Sequence, residues 1–566
     1  MNQKLENILN VSLDATEDEL RKADSLSTGY NWRDNTWEII VKYSGSLESI
    51  RNRYNVYIKE LLNYYAIIVA DKATIELVSQ EDVIDYVEKP KSLYYQIERT
   101  KTAACVGSVR ADGNILSGKG VIVGVIDTGI DIFDNAFRNS DGTTRILNIY
   151  DQTTGEKYDK QSIDEYIRLN EDLSGGTFSY DNAPGVDNIM HGTDVSYIAA
   201  GSLGVAYEAD IIAVKMGYSI NNQFPRTTSL MDAIDYIIRK AIEYRKPVAV
   251  NISYGCNYGA HNGNTLLESF IDDISKSYRC VICVGSGNEA DKAIHFGGII
   301  NTGQVQTAYL SVGEYQSAID IQIWKNYWDT IDVMLINPRG EQIGIITEGR
   351  INRYETYNTE IITLLGEPSP YNIYQEIYIN LIPKTDYILS GIWQIVLMAG
   401  SIRAGELGYA TAFNNPTADG TITIPATARN CIAVGAYNAY TNSYAAFSGR
   451  GFDNSIRNVN AGVKPDITAP GVDISIARQR GNDITYRNVT GTSYAVPVVT
   501  GAAALLMQWG IVMGNDRFMY GEKLKAALID GSKPVGLVGI TRNDNQPDPR
   551  TGWGAVCLKN TLNKIL

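Results

Sequence analysis

The sequence predicts an α/β fold, a mostly parallel sheet flanked by helices, with a small α+β module before it and an all-β insert within it. From residue 120 onward, continuously apolar runs such as 121–126 and 247–252 alternate with helical stretches, as in strands buried on both faces of a parallel sheet. Between about residues 37 and 90, short strands alternate with short helices. From about 300 to 417, apolar residues recur at every second position, as at Ile319, Ile321 and Ile323.

These patterns divide the chain into domains. A chain of 566 residues is too long for one ordinary core. We expect residues 1–96 to form the α+β module and residues 97–300 the first part of the α/β domain. Residues 301–417 should then form an inserted β-sandwich, and residues 418–566 the second part of the α/β domain.

Charge and hydropathy exclude several function classes. The net charge is −14, and no stretch rich in Lys and Arg could bind the phosphates of a nucleic acid. We therefore expect no nucleic-acid partner. The apolar run 501–513 is too short to span a bilayer, so we expect no membrane segment. The N-terminus is polar and lacks the apolar core of a signal peptide, which predicts a cytoplasmic protein.

Six cysteines in so long a chain do not predict a disulfide framework. Cys280 and Cys283 form a C-x-x-C pair within an apolar run that reads as a strand. Side chains three apart on a strand point to opposite faces, so two buried small side chains are favoured over a shared metal.

Three polar residues are distinguished by the residues that flank them in the sequence. Asp127 ends an apolar strand and precedes Thr-Gly, and His191 precedes Gly-Thr and a small apolar helix. Ser493 follows Gly-Thr and also precedes an apolar helix. Each feature alone is usually structural, since Asp favours turns and a lone His or Gly-Thr-Ser is common. Their combination in the order Asp, His, Ser indicates a catalytic site.

These segments resemble the signature motifs of the subtilisin-like serine proteases, the subtilase family, over about residues 97–300 and 418–566. The resemblance implies a subtilisin-like fold, with Asp127, His191 and Ser493 as the catalytic residues. It also implies that Asn288, in the motif Gly-Ser-Gly-Asn, is the oxyanion-hole donor. The substrate-binding residues that it implies are Ser253, Tyr254, Gly255, Gly285 and Gly287.

The chemistry explains these residue types. A serine hydroxyl is a poor nucleophile until a base removes its proton, and imidazole titrates near neutral pH. The aspartate fixes the tautomer of the histidine and stabilises its positive charge. The resemblance therefore implies hydrolysis of peptide bonds through an acyl-enzyme, with a peptide or protein substrate and no cofactor.

The chain departs from the family pattern at three positions. Asp194 stands where the family usually has a second histidine, and Tyr494 stands where it usually has methionine. Ala136 stands where the family's calcium loop usually has an acidic residue, so we predict no metal. Neither Asp194 nor Tyr494 stands at a position that carries the proton transfer.

The architecture resembles one branch of the family more narrowly. The N-terminal module matches the plan of a subtilase propeptide, which chaperones folding and blocks the cleft until the enzyme cleaves it, here after Gln96. A propeptide with a β insert resembles the clostridial Csp germination proteases, which carry a jelly-roll insert and activate a zymogen of the spore-cortex hydrolase. This resemblance implies a spore-associated location.

Three other functions compete with this interpretation. A catalytically silent relative, acting as a sensor or scaffold, stays open. An α/β-hydrolase esterase needs G-x-S-x-G, but Ala495 replaces the second glycine and the residue order differs. A nucleotide-binding loop needs glycine where Val123 stands. His261 and His295 lie in no motif, so we expect both to be structural. The β insert is either a binding module or a brace packed on the protease, and the brace is favoured.

Overall fold

The computed structural model describes residues 4–17, 20, 27, 29–61, 64–89, 101, 103–106, 110–111, 114–173, 183–217, 225–346, 351–367, 372–410, 413, 416–452, 463–480, 483–536 and 547–566. The chain divides into two compact units, Met1–Tyr95 and Gln96–Leu566.

The first unit is an antiparallel sheet packed against helices. Its helices are α1 (Asn7–Asp14), α2 (Glu48–Tyr54) and α3 (Lys72–Val78), and its strands are β1 (Tyr30–Asn31), β2 (Thr36–Tyr43), β3 (Tyr57–Leu61), β4 (Tyr65–Ala70) and β5 (Ile84–Glu88). The strand order is β1-β2-β4-β3, and β5 pairs with β2. Alternate residues of β2 point into a core shared with the helices, so the predicted α+β module is confirmed.

The second unit contains the other elements. Its helices are α4 (Lys160–Leu173), α5 (His191–Ala200), α6 (Thr227–Tyr244), α7 (Leu266–Ser277), α8 (Thr492–Met507), α9 (Gly521–Asp530) and α10 (Leu558–Ile565). Its strands are β6 (Arg110–Ala111), β7 (Asn114–Ile115), β8 (Ile122–Asp127), β9 (Ile146–Asp151), β10 (Glu156–Asp159), β11 (Asp210–Lys215), β12 (Val248–Ile252), β13 (Cys280–Gly285), β14 (His295–Ile299), β15 (Val305–Val312), β16 (Ile319–Asn326), β17 (Ile331–Ile336), β18 (Gln342–Ile345), β19 (Ile351–Glu355), β20 (Thr359–Leu365), β21 (Tyr374–Pro383), β22 (Gly391–Ala399), β23 (Glu406–Ala410), β24 (Ile432–Asn438), β25 (Ser443–Tyr444), β26 (Ile467–Pro470), β27 (Ile474–Arg480) and β28 (Asp483–Val489).

The central sheet has the order β10-β9-β11-β8-β12-β13-β24-β25, with β26 also paired to β24. The pairs from β9 to β24, and the β24–β26 pair, are parallel. On β8, Val123 and Val125 face the core that contains α5 and α8, whereas Ile122 and Ile126 face the core that contains α6 and α7. This two-sided burial explains the continuous apolar runs, and the predicted parallel sheet is confirmed.

Helix α8 continues through a π-helical turn at Gln508–Val512. The combined helix, Thr492–Val512, is long and apolar enough to cross a membrane by length and composition, and 89% of its most apolar stretch is buried within the protein. Its place between β12, β13 and α5 accounts for its apolar sequence.

The strands β14–β23 form two antiparallel sheets, in the orders β14-β23-β16-β21-β20-β19 and β15-β22-β17-β18. Ile323 of the first sheet and Leu335 and Ile395 of the second lie in one shared core, which explains the period-two pattern. Strand β14 begins at His295, ahead of the expected boundary at residue 301. The jelly-roll connectivity stays a prediction.

The cysteines take two roles. Cys105 and Cys557 form a disulfide across 452 residues, a pairing that the sequence did not indicate. Cys280 and Cys283 are buried on β13 as free thiols, and burial raises the pKa of each to about 12. Across the described residues, no group of three or more His, Cys, Asp or Glu side chains could hold a metal ion.

Candidate active site

The structure brings Asp127 and His191 into direct contact. Asp127 is the last residue of β8 and is buried, and His191 is the first residue of α5. The Oδ1 of Asp127 lies 2.7 Å from Nδ1 of His191 and also accepts a 2.8 Å hydrogen bond from the backbone N–H of Thr128. A carboxylate can only accept, so Nδ1 carries the proton and Nε2 is left as the basic nitrogen.

Helix α5 can approach β8 this closely because Gly192 has no side chain. A Cβ at Gly192 would lie 2.3 Å from the carbonyl oxygen of Gly129 and 2.9 Å from Cβ of Asp127. The backbone N–H of Gly192 instead donates a 2.9 Å hydrogen bond to Oγ1 of Thr128. The Asp-Thr-Gly and His-Gly-Thr motifs therefore hold each other in place.

Asp187 organises the turn before His191, and the sequence analysis missed it. Its Oδ1 accepts hydrogen bonds from the hydroxyl of Thr128 (2.8 Å) and the backbone N–H of Met190 (2.7 Å), and its Oδ2 accepts from the N–H and hydroxyl of Thr193 (both 2.8 Å). An acidic residue just before an apolar helix is a capping signal that could have found it.

Ser493 follows Thr492 at the start of α8 and is half-buried. Its carbonyl accepts a 3.3 Å hydrogen bond from the hydroxyl of Ser253, and the ring of its neighbour Tyr494 lies 5.2 Å from the His191 ring, centroid to centroid. Within the described part of the chain, no hydrogen bond joins the Ser493 hydroxyl to the imidazole. Such bonds are often long in a protease without substrate.

Asn288 follows β13 and faces the start of α8. Its Oδ1 accepts hydrogen bonds from the backbone N–H (2.8 Å) and the hydroxyl (3.0 Å) of Thr492. Because the N–H of Thr492 must meet an oxygen, the amide orientation is fixed and Nδ2 is the group left to donate. Asn288 thus presents a donor beside the segment that carries Ser493.

The remaining predicted residues surround this point. Ser253 and Tyr254 follow β12 and are half-buried, and Gly285 ends β13 beside Thr492. A Cβ at Gly255 or Gly287 would lie 2.5 or 2.6 Å from the side chain of Thr423. Thr423 is a neighbour of the site that the sequence analysis did not identify.

The electrostatics of His191 favour its protonated form. Burial lowers the pKa of His191, but the carboxylates of Asp127, Asp194 and Asp187 together outweigh this effect, so that its pKa is raised above 6.5. A raised pKa makes the imidazole a stronger proton acceptor once it is neutral.

Three predicted residues lie elsewhere. Gln96 falls outside the described residues. Nδ1 of His261 lies 2.5 Å from the carbonyl oxygen of Ile422, and Nδ1 of His295 lies 2.9 Å from the hydroxyl of Thr417. Both contacts suit the structural roles expected of these histidines.

Comparisons with known proteins show what the chain is similar to. A model of the subtilase family matches residues 118–367 and 391–554, and a model of the Csp protease B prodomain matches residues 3–91. The solved structure of the Clostridium perfringens CspB protease aligns with a TM-score of 0.74 at 33% identity, covering 83% of this chain and 97% of that chain.

Matches to curated relatives are shorter. Subtilisin E of Bacillus subtilis is 37% identical over 109 residues, which is 19% of this chain and 25% of that protein. The subtilase-type proteinase RRT12 of Saccharomyces cerevisiae is 35% identical over 113 residues, or 20% of each chain. The matched stretch spans a quarter or less of these relatives. Because the family model covers most of the residues from 118 to 554, the chain belongs to the subtilase family.

Proposed function

We propose that this chain is a serine endopeptidase in which Asp127, His191 and Ser493 form the catalytic triad. The observation that carries the proposal is the 2.7 Å contact between Asp127 Oδ1 and His191 Nδ1, beside the helix start that bears Ser493. The contact leaves the basic nitrogen of His191 as the proton acceptor for a serine hydroxyl.

The proposed reaction has two stages. His191 takes the proton of Ser493 as its oxygen attacks the peptide carbonyl, and then gives that proton to the leaving amine. A water molecule, activated by the same imidazole, hydrolyses the acyl-enzyme. Asn288 Nδ2 and the backbone N–H of Ser493 would donate to the oxyanion of each tetrahedral intermediate, in a segment already ordered by the hydrogen bonds between Asn288 and Thr492.

Substrate binding is assigned to the ends of β12 and β13. Ser253, Tyr254 and Gly255 would pair with the extended peptide on one side, and Gly285 and Gly287 on the other. Parallel strands leave their carboxyl ends at one edge of the sheet, which favours this edge as the cleft. No cofactor or metal enters the proposed reaction.

The first unit is proposed to be a propeptide that chaperones folding and inhibits the enzyme until self-processing. Support comes from its α+β fold and from its match to the Csp protease B prodomain. The proposed cut follows Gln96, which would make residues 1–96 the propeptide.

A role in spore germination is the narrower proposal, in which the enzyme activates the zymogen of a spore-cortex hydrolase. It is supported by the likeness to the CspB protease and by the β insert. Disulfides persist in compartments that are not reducing. The Cys105–Cys557 disulfide therefore favours the spore-associated location over the cytoplasmic one.

The second candidate is a catalytically silent sensor or scaffold on the same fold. One observation favours it: the described structure shows no hydrogen bond between the Ser493 hydroxyl and His191. The intact types of all three triad residues favour the enzyme.

Mass spectrometry of the purified full-length chain tests the proposal. The wild type should separate into two fragments, cut after Gln96, while the Ser493→Ala chain should stay whole. Ser269→Ala, which alters a serine of α7, is the matched control and should process normally. An uncut wild type that also leaves peptide substrates intact would overturn the enzyme in favour of the scaffold.

A further inference from the structure

The hairpin β27–β28 supplies two arginines to a buried carboxylate beside the proposed catalytic histidine. Asp194 lies on α5, has no exposed surface, and stands where the family usually has histidine. Arg478 donates through Nε to its Oδ1 at 3.0 Å and contacts the same oxygen through Nη2. Arg487 Nη2 lies 2.7 Å from Oδ2, which accepts no hydrogen bond from the described residues, so this contact is an ion pair.

Arg478 also closes the turn that carries His191. Its Nη2 donates a 2.9 Å hydrogen bond to the carbonyl of Met190, the residue before His191. The same carbonyl accepts the first hydrogen bond of α5, 3.2 Å from the N–H of Asp194. The buried side chain of Arg478 therefore contacts both Met190, which precedes His191, and Asp194, which follows it on α5.

Tyr494, the second departure from the family pattern, joins the same group. Its ring packs on His191 at 5.2 Å between centroids, with the planes tilted by 55°. Burial raises the pKa of its hydroxyl, the charge of Asp194 raises it further, and Arg487 opposes both effects. Asp194 and Tyr494, which stand where the family usually has histidine and methionine, thus belong to one network beside His191.

We propose that Arg478, on the hairpin β27–β28, is a positioning residue that fixes His191 through Met190 and Asp194. This inference rests on the proposed function, because it assigns His191 the role of base. Arg487 adds a second ion pair to Asp194.

The charges around His191 give the network a measurable signature. Facing the imidazole are Asp127 from β8, Asp187 from the preceding turn and Asp194 from its own helix, and Tyr494 from α8 packs on its ring. Burial raises the pKa of Asp194 above its usual 3.8, and the charges of Arg478 and Arg487 oppose this rise without cancelling it. An ionised Asp194 raises the pKa of His191, so removing its charge must lower that pKa.

Nuclear magnetic resonance measures the pKa of His191 directly, because the chain has only three histidines. In ¹⁵N-histidine-labelled Ser493→Ala protein, Asp194→Asn should lower the His191 midpoint by about 0.5–1 pH unit, less than the 1–3 units of an unscreened neighbouring charge. Arg480→Met is the matched control, because Arg480 lies on the same hairpin but pairs with Asp131. It should leave the midpoint unchanged, and an unchanged midpoint in Asp194→Asn would overturn the proposal.

Kinetics test the positioning role. Arg478→Met should lower kcat about tenfold or more with little change in KM, since small misplacements of a catalytic group are costly. Arg478→Lys, which keeps the charge and one donor, should recover part of the loss. A kcat equal to that of Arg480→Met would contradict the proposal. If Arg478→Met fails to fold, Arg478→Lys and Asp194→Asn decide the question.

The two measurements separate this inference from the proposed function. A wild type without Ser493-dependent activity would defeat the proposed function. The resonance titration uses an inactive background, so it still shows whether the network sets the state of His191.

Discussion

The side chain of His191 is mostly buried, and its Nδ1 contacts a fully buried carboxylate. Its side chain is 25% exposed, whereas that of Asp127 is 1% exposed. A carboxylate in a dry setting interacts strongly with an imidazolium, because little water screens the charge. The catalytic chemistry proposed for the site follows from this asymmetry.

The pH dependence of activity should reveal the raised pKa of His191. The imidazole must be neutral to act as a base, so activity appears only as the pH rises through its pKa, which lies above 6.5. We expect the acid limb of kcat/KM to have its midpoint above pH 6.5, and Asp127→Asn to move it to lower pH. A midpoint at or below 6.5 in the wild type would contradict this account.

Asn288 offers a test of oxyanion stabilisation that spares the local structure. Asn288→Asp keeps the oxygen that accepts from Thr492 but removes the Nδ2 donor and adds negative charge. We expect kcat to fall by about 10²–10³-fold with the fold retained, as measured by peptide hydrolysis and circular dichroism. A variant with near wild-type kcat would remove Asn288 from the oxyanion hole.

Single residues were predictable where the signal was local. Asp127, His191 and Ser493 each carry their motif within a few neighbours, and the Asp127–His191 contact follows from a strand end meeting a helix start. Arg478 carries no local signal, because its partner Asp194 lies 284 residues away in the chain. Only folding brings such pairs together.

Among the elements, α5 depends most on a close approach to β8. We expect Gly192→Ala to destabilise the protein by about 1–3 kcal/mol and to lower activity, because the new methyl group would collide with the carbonyl of Gly129. Thermal melting and peptide hydrolysis measure both effects. Gly313→Ala is the control, since a Cβ there meets open space and the backbone is unstrained. Equal behaviour of the two variants would refute the packing argument.

The β insert contacts the segment that follows the proposed substrate-binding strand. Gln322 Oε1 accepts a 2.8 Å hydrogen bond from the backbone N–H of Gly259, and Asn262 donates a 2.9 Å hydrogen bond to Asn372. These contacts favour the brace over the binding module. Deleting residues 295–417, the whole insert including β14, should then lower thermal stability and activity together, whereas loss of activity alone would favour a binding role.

Elements were predictable from periodicity. Strands buried on both faces are continuously apolar, and these runs form the central sheet. Strands buried on one face are apolar at every second residue, and these runs form the insert. The boundary at His295 and the hairpin β27–β28 depend on long-range pairing, which a local pattern does not contain.

At the scale of the whole molecule, one covalent link joins distant parts of the second unit. The disulfide ties Cys105 to Cys557 at the start of α10, and the N–H of Leu558 also donates to the carbonyl of Ala104 at 3.1 Å. No spacing rule pairs two cysteines so far apart, so the sequence alone could not reveal the link.

Removing this link should destabilise the protein. We expect Cys105→Ala to lower the free energy of unfolding by about 2–5 kcal/mol, because the unfolded chain gains freedom when a long loop opens. Denaturant unfolding of the processed protein measures the change. Cys256→Ala, which removes a half-buried free thiol, is the control, and an equal effect of both variants would show that the bridge adds no stability.

The activated hydroxyl of Ser493 is the claim on which the whole account depends, and labelling with a fluorophosphonate followed by peptide mapping tests it most directly. The account predicts one probe on Ser493 of the processed protein, no labelling of Ser493→Ala, and much slower labelling of His191→Ala. A processed wild type that takes up no probe, or that carries it on another serine, would contradict the account.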